Sequence, residues 1–167
     1  PIAEPCIDPL RPSHPGSHFA LMAPPLIQLT DIALTFGGTS LLDGVDLAVA
    51  AGERICLVGR NGSGKSTLLR IAAGLVEPDR GRRFVQPGAL VRYLPQEPDL
   101  SAYPTTLAYV EAGLAASDDA HQARVLLEAL GLDGSEDPAH LSGGEARRAA
   151  LAHVLAADPE ILLLDEP

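Results

Sequence analysis

The chain has no tryptophan, one methionine, two cysteines and a single lysine. Cys6 lies in a proline-rich leader and Cys56 inside the apolar run ICLVG, so no disulfide framework is available and Cys56 is expected to be a small buried hydrophobe. No apolar stretch approaches the ~18 residues that a membrane-spanning helix needs, and the N-terminus lacks the basic-then-apolar order of a signal peptide. With no membrane span of its own, the chain reads as cytoplasmic. Basic residues are also scarce, 12 against 22 acidic, and the formal charge of −10 opposes broad binding to a phosphate backbone. Arg80, Arg82 and Arg83 form a local group for which a solvated loop and a partner patch are both open.

The scarcest cation is the most informative. Lys65 is alone among eleven arginines. A lysine is a compact point charge on a flexible stem that can enter a tight backbone loop, which a planar guanidinium cannot do as readily. Codon bias with one lysine left over is the plain alternative, so the surroundings of position 65 decide.

What is present is a globular pattern: 167 residues, 46% hydrophobic and 20% charged, enough for one domain with a sizeable core. Residues 1–21 carry five of the fifteen prolines and read as a disordered leader in which His14 and His18 are solvated, with Met22 the expected initiator. Short strands are expected at LIQLT, LTF and VDLAV, then a buried strand at ERICLVG and a helix over STLLRIAAGL. RRFVQ and ALVRYL look like a further strand pair across Pro87-Gly88. Helices follow between about 105 and 131, with Leu107, Val110 and Leu114 on one face and Val125, Leu126, Ala129 and Leu130 on another. A third helix is expected from Gly144 to Ala157 with Leu151, Val154 and Leu155 inward. The chain then closes on ILLLDEP, an apolar strand buried on both faces that delivers Asp165 and Glu166 at its carboxyl end.

GRNGSGKS, residues 59–66, fits G-x-x-x-x-G-K-[ST] after a strand and at a helix start. Gly59, Gly62 and Gly64 permit positive φ and close approach of backbone N–H groups to phosphate oxygens. Arg60, Asn61, Ser63 and Thr67 complete the cradle, Lys65 can reach the β and γ phosphates, and Ser66 can ligate Mg²⁺. Magnesium needs oxygen ligands from a second strand end, which Asp165 supplies, and Glu166 could deprotonate the attacking water. Without the cradle, that acidic pair would read equally well as a solvated chain end. LSGGE, Leu141, Ser142, Gly143, Gly144 and Glu145, opens the third helix with a hydroxyl and two glycines, either a simple Ser142 cap or a second anion site.

GRNGSGKS, Pro95-Gln96, LSGGE and ILLLDE together resemble the ordered motif set of the ATP-binding cassette (ABC) ATPases, over residues 26–167. The resemblance implies an α/β P-loop NTPase over 22–167. Its RecA-like parallel core would be joined by an N-terminal antiparallel β subdomain and a small helical subdomain at about 97–157. It also implies ATP and Mg²⁺ as ligands, Ser66, Gln96 and Asp165 around the metal, and Glu166 and Gln96 as the catalytic pair. Leu141 to Glu145 would act in trans on the nucleotide of a second ABC domain, in the same chain or a dimer mate. Phe36, twenty-three residues before Gly59, matches the aromatic that stacks on adenine, while a hairpin core residue is nearly as good a reading.

The wording is most similar to the first cassette of the duplicated cytosolic ABC-F subfamily, with a ribosome or RNA partner. Only forty-five residues lie between Gln96 and Ser142, however, shorter than that subfamily's usual helical arm. The ATP-binding subunit of a membrane transporter, facing a transmembrane partner through segment 105–131, stays open. So does a nucleotide-binding module without turnover. The family's domain continues past Glu-Pro to a switch histidine, so the chain is expected to be incomplete at its C-terminus, with weak hydrolysis and an unpaired edge on ILLL. His140 and His153 precede the acidic strand and are expected to be exposed. A GTPase is disfavoured because its usual Asn-Lys pair needs a second lysine, and a kinase has no need of LSGGE.

Overall fold

The computed structural model describes residues 24–114 and 120–166. The leader with Cys6, His14, His18 and Met22, as well as Pro167, lies outside the described residues. The chain divides into two compact units at Ala89/Leu90. No helix among the described residues is long and apolar enough to cross a membrane.

The first unit contains a three-stranded antiparallel sheet in the order β2-β1-β3. LIQLT and LTF belong to one strand, β1 (Ile27–Phe36), bent at Asp31, which has φ 52°. The kink is held from both sides: the Asp31 N–H donates to Asp46 Oδ1 at 2.8 Å, and Arg80 forks onto the Asp31 carboxylate at 2.9 and 3.0 Å. β2 (Thr39–Val49) returns through the Gly37-Gly38 turn, where φ values of 58° and 84° suit glycine. β3 (Arg80–Val85) pairs with the other edge of β1. The three arginines are therefore strand residues and not a solvated loop. β1 buries Ile27, Leu29, Ile32 and Leu34.

α1 (Lys65–Ala73) is tied to this sheet at both ends. At its start, Gly64 lies against Leu41 and Leu42 of β2. At its end, where Gly74 takes φ 80°, Arg83 Nε of β3 donates to the Ala72 carbonyl at 2.8 Å. A basic side chain on the last carbonyls also suits the helix dipole.

One expectation fails here. ERICLVG is not a buried strand: residues 53–60 carry no strand, Ile55 and Val58 are 40% and 58% exposed, and Cys56 is exposed. A strand exists only through its ladder, and the described strands pair as β2-β1-β3 and β4-β5, leaving none beside this run.

In the second unit β4 (Val91–Leu94) and β5 (Ile161–Leu164) form a parallel pair, in register from Val91↔Ile161 to Leu94↔Leu164. RRFVQ and ALVRYL are thus not partners of each other. Ile161 is buried but Leu162 to Leu164 only partly, as a strand with one neighbour among the described residues would be. The helices are α2 (Thr106–Glu111), α3 (Ala120–Ala129) and α4 (Gly143–Ala156), with a 3-10 turn at Pro138–His140.

The inward face of α3 is Ala123 and Leu127, while Val125 is exposed; α4 buries Ala149, Ala150, Ala152, Val154 and Ala156, not a leucine stripe. Alanines on α4 let neighbouring helices approach closely, and its larger leucines fall beside that face. His140 is exposed as expected, but His153 is half-buried: its ring stacks on Tyr109 at 4.5 Å and Nδ1 lies 2.8 Å from the Tyr109 carbonyl. Burial, with Tyr103 and Asp99 nearby, pushes the Tyr109 hydroxyl up to about 12.

Glu136 joins the loop before the 3-10 turn to the start of α2. Its carboxylate accepts from the fully buried Thr106 hydroxyl at 2.5 Å and from the N–H groups of Asp133 and Gly134. Burial works to raise its pKa, but these donors outweigh that and hold it below the ordinary value. A depressed folded pKa means this stabilisation is present above the unfolded value of about 4.3 and is lost as pH falls through the folded one. Thr106→Val should cost about 1.5–3 kcal/mol at pH 7 by urea denaturation, as expected for removing a bond to a charged group. Glu136→Gln should flatten the loss of stability as pH falls below the ordinary carboxylate value, read by urea denaturation at stepped pH.

Candidate functional site

The cradle is built by backbone constraints. Gly62 and Gly64 have φ 77° and 90°, and Gly64 is the N-cap of α1 without any side-chain cap. A Cβ on Gly64 would lie 2.9 Å from Leu42 Cδ2, and one on Gly59 would lie 2.8 Å from Ser63 Oγ. That hydroxyl is buried and has no hydrogen-bond partner among the described residues. Lys65 folds back over the loop, its ammonium donating to the Gly59 and Arg60 carbonyls at 2.9 and 3.0 Å.

This donor set fits a polyphosphate: an uncapped helix start, a lysine held by two carbonyls, and an orphaned hydroxyl in a loop where a Cβ on Gly59 or Gly64 would meet a neighbour under 3.0 Å away. Ser66 and Thr67 follow on the first turn of α1. Phe36 stands at the tip of the β1-β2 hairpin, 79% exposed, so the hairpin-core reading is excluded.

The second unit brings two of the expected residues together. Parallel pairing of β4 with β5 sets Gln96 and the acid pair at the same strand ends, where Gln96 Nε2 donates to Glu166 Oε2 at 2.8 Å. Glu166 is exposed with φ 51°; Asp165 is 3% exposed, its N–H bound to the Leu94 carbonyl at 3.0 Å. Tyr93 donates its hydroxyl to Asp165 Oδ2 at 2.9 Å. Sequence reasoning missed Tyr93, since only the parallel register reveals that it reaches Asp165. It also missed Arg147, whose Nη2 donates to the Gln96 carbonyl at 3.0 Å.

LSGGE forms a complete capping box. Ser142 Oγ accepts from the Glu145 N–H, and Glu145 Oε2 accepts from the Ser142 N–H at 2.8 Å and its hydroxyl at 2.6 Å. These bonds hold the Glu145 carboxyl below the usual range. Leu141 packs against the core of the unit, and a Cβ on Gly143 would meet nothing within 4 Å.

A family model described as ABC transporter matches residues 42–167. The chain belongs to the ABC transporter family. As an ABC ATPase domain it is 52% identical over 144 residues to the ATP-binding protein Uup of Caulobacter vibrioides, covering 86% of this chain and 23% of that protein. It is 44% identical over 143 residues to the aliphatic sulfonates import ATP-binding protein SsuB of Frankia casuarinae, covering 84% and 47%. The chain thus spans about a quarter and about half of these relatives.

Among solved structures, an ATP-binding subunit of an ABC transporter superposes with TM-score 0.76 at 26% identity, over 85% of this chain and 66% of that one. A bacterial Atm1-family ABC exporter with ATP bound superposes with TM-score 0.71 at 25% identity, over 88% and 31%. The α/β P-loop NTPase class is therefore that of the ABC ATPases. It appears here as an antiparallel sheet, a two-stranded parallel sheet and four α-helices among the described residues.

The cradle's geometry can be tested by separating backbone strain from steric contact. Gly62→Ala adds only strain, about 1 kcal/mol, whereas Gly64→Ala adds strain plus the Leu42 clash and should cost about 2–3 kcal/mol. Urea denaturation checks the order of the two, and calorimetry should show Gly64→Ala also losing nucleotide affinity by about tenfold or more.

Proposed function

We propose that this chain is the ATP-binding and ATP-hydrolysing domain of an ABC protein. The observation that carries the reading is the cradle: the chain's single lysine is held by two backbone carbonyls over a loop with a partnerless buried hydroxyl. ATP enters with its phosphates against Gly59 to Thr67, and Lys65 transfers its bonds from the Gly59 and Arg60 carbonyls to phosphate oxygens. Phe36, exposed at the hairpin tip, is free of the core and suited to stacking on the adenine.

Ser66 in the first unit, and Asp165 and Gln96 in the second, each offer an oxygen of the kind that Mg²⁺ takes, and the metal when bound would supply charge neutralisation on the phosphates. Tyr93 fixes the Asp165 carboxylate for that role. Glu166 accepts a proton from the attacking water, and Gln96, already hydrogen-bonded to Glu166, orients both. Leu141 to Glu145 serve the nucleotide of a second ABC domain, in the same chain or a dimer mate, through Ser142 and the glycines at the start of α4.

The coupled process is read first as that of the cytosolic ABC-F proteins, with a ribosome or RNA partner, on the 52% identity to Uup. The 44% identity to SsuB favours a second reading, an ATP-binding subunit docked on a transmembrane transport subunit. Either places the domain in the cytoplasm. Pull-down with ribosomes against co-purification with a membrane protein separates the two.

Lys65→Ala should abolish ATP binding by calorimetry; unchanged affinity would sink the reading. Glu166→Gln should keep the affinity while turnover in the full-length protein falls by about 10²–10⁴-fold, the usual contribution of a general base.

A further inference from the structure

Two hydrogen bonds lead from α4 to the end of β5, and a third ties that end to β4. Arg147 Nη2 donates to the Gln96 carbonyl at 3.0 Å, Gln96 Nε2 donates to Glu166 Oε2 at 2.8 Å, and the adjacent Asp165 N–H donates to the Leu94 carbonyl at 3.0 Å. Gln96 lies beyond Leu94↔Leu164, the last registered pair of the parallel ladder, so its carbonyl is held by Arg147 and not by the sheet. Glu166 sits at φ 51°, a conformation that an L-residue keeps only when its surroundings hold it. Arg147 stands on the same helix as the Ser142-Glu145 capping box, five residues past its N-cap.

We infer that Arg147 is a positioning residue: by holding the Gln96 carbonyl it fixes the amide that orients the Glu166 carboxylate. The inference rests on the proposal that Glu166 is the base. It adds a physical link between the start of α4, where a second ABC domain would dock, and the carboxylate that activates water. A helix is rigid over one turn, so a shift of Ser142 carries Arg147 with it, and Gln96 and Glu166 follow. The guanidinium suits this task because its planar fork loses little freedom on bonding.

The test uses the full-length protein. Arg147→Ala should lower kcat about tenfold with KM for ATP within about twofold, the pattern of a lost transition-state interaction. Arg147→Lys, which can still donate to one carbonyl, should recover most of the rate, and Arg124→Ala, an exposed arginine on α3, should change nothing. In a Glu166→Gln background Arg147→Ala should cost nothing more, because both changes remove one pathway.

A readout independent of turnover comes from the side-chain amide resonance of Gln96. Glu166→Gln should move it in the parent protein but no longer in Arg147→Ala, while Arg147→Lys keeps the response. Additive losses in kcat, an unchanged kcat in Arg147→Ala, or an undiminished Gln96 response would overturn the inference. Normal turnover by Glu166→Gln alone would remove the base reading instead, and the Gln96 resonance would then decide by itself whether Arg147 controls that side chain.

Discussion

Pairing of β4 with β5 is the contact on which the chemistry of the second unit depends. Four registered residue pairs align two strands whose ends are about seventy residues apart in sequence. Because the strands are parallel, their carboxyl ends coincide, and the polar residues that follow each strand are delivered to the same place. Gln96 meets Glu166 and Tyr93 meets Asp165 because of this coincidence of strand ends. An antiparallel pairing of the same segments would send the two sets to opposite ends.

That pairing also marks the boundary of what could be read from the chain. GRNGSGKS and LSGGE could be picked out because each shapes its own helix start: Gly62 and Gly64 take positive φ before one helix, and Ser142 caps the other. Partners across long sequence separations were not. Val91 to Leu94 look like a strand in sequence, but nothing in VRYL says that ILLL lies beside it and that RRFVQ does not. Tyr93 and Arg147 were overlooked for the same reason.

The misreadings share one cause. An apolar pattern states what a segment could bury, whereas burial depends on whether a neighbour is there. ICLVG is apolar enough for a central strand yet finds no described strand, and Cys56 and Val58 are exposed. The converse holds for α4, where small alanines take the interior positions assigned to leucines. His153 was expected on an exposed helix face, yet it fits under Tyr109 because Gly113 leaves room: a Cβ there would come within 2.8 Å of the imidazole.

The Lys65 ammonium has a thermodynamic consequence. It is already satisfied by two neutral carbonyls, so on the proposed function nucleotide entry would be an exchange of acceptors. What would change is the charge of the acceptor, from neutral oxygen to anionic oxygen, and the affinity gained there would be electrostatic, weakening as ionic strength rises. On the proposed function, release would follow the same route in reverse, with Lys65 returning to the Gly59 and Arg60 carbonyls that it already holds in this structure.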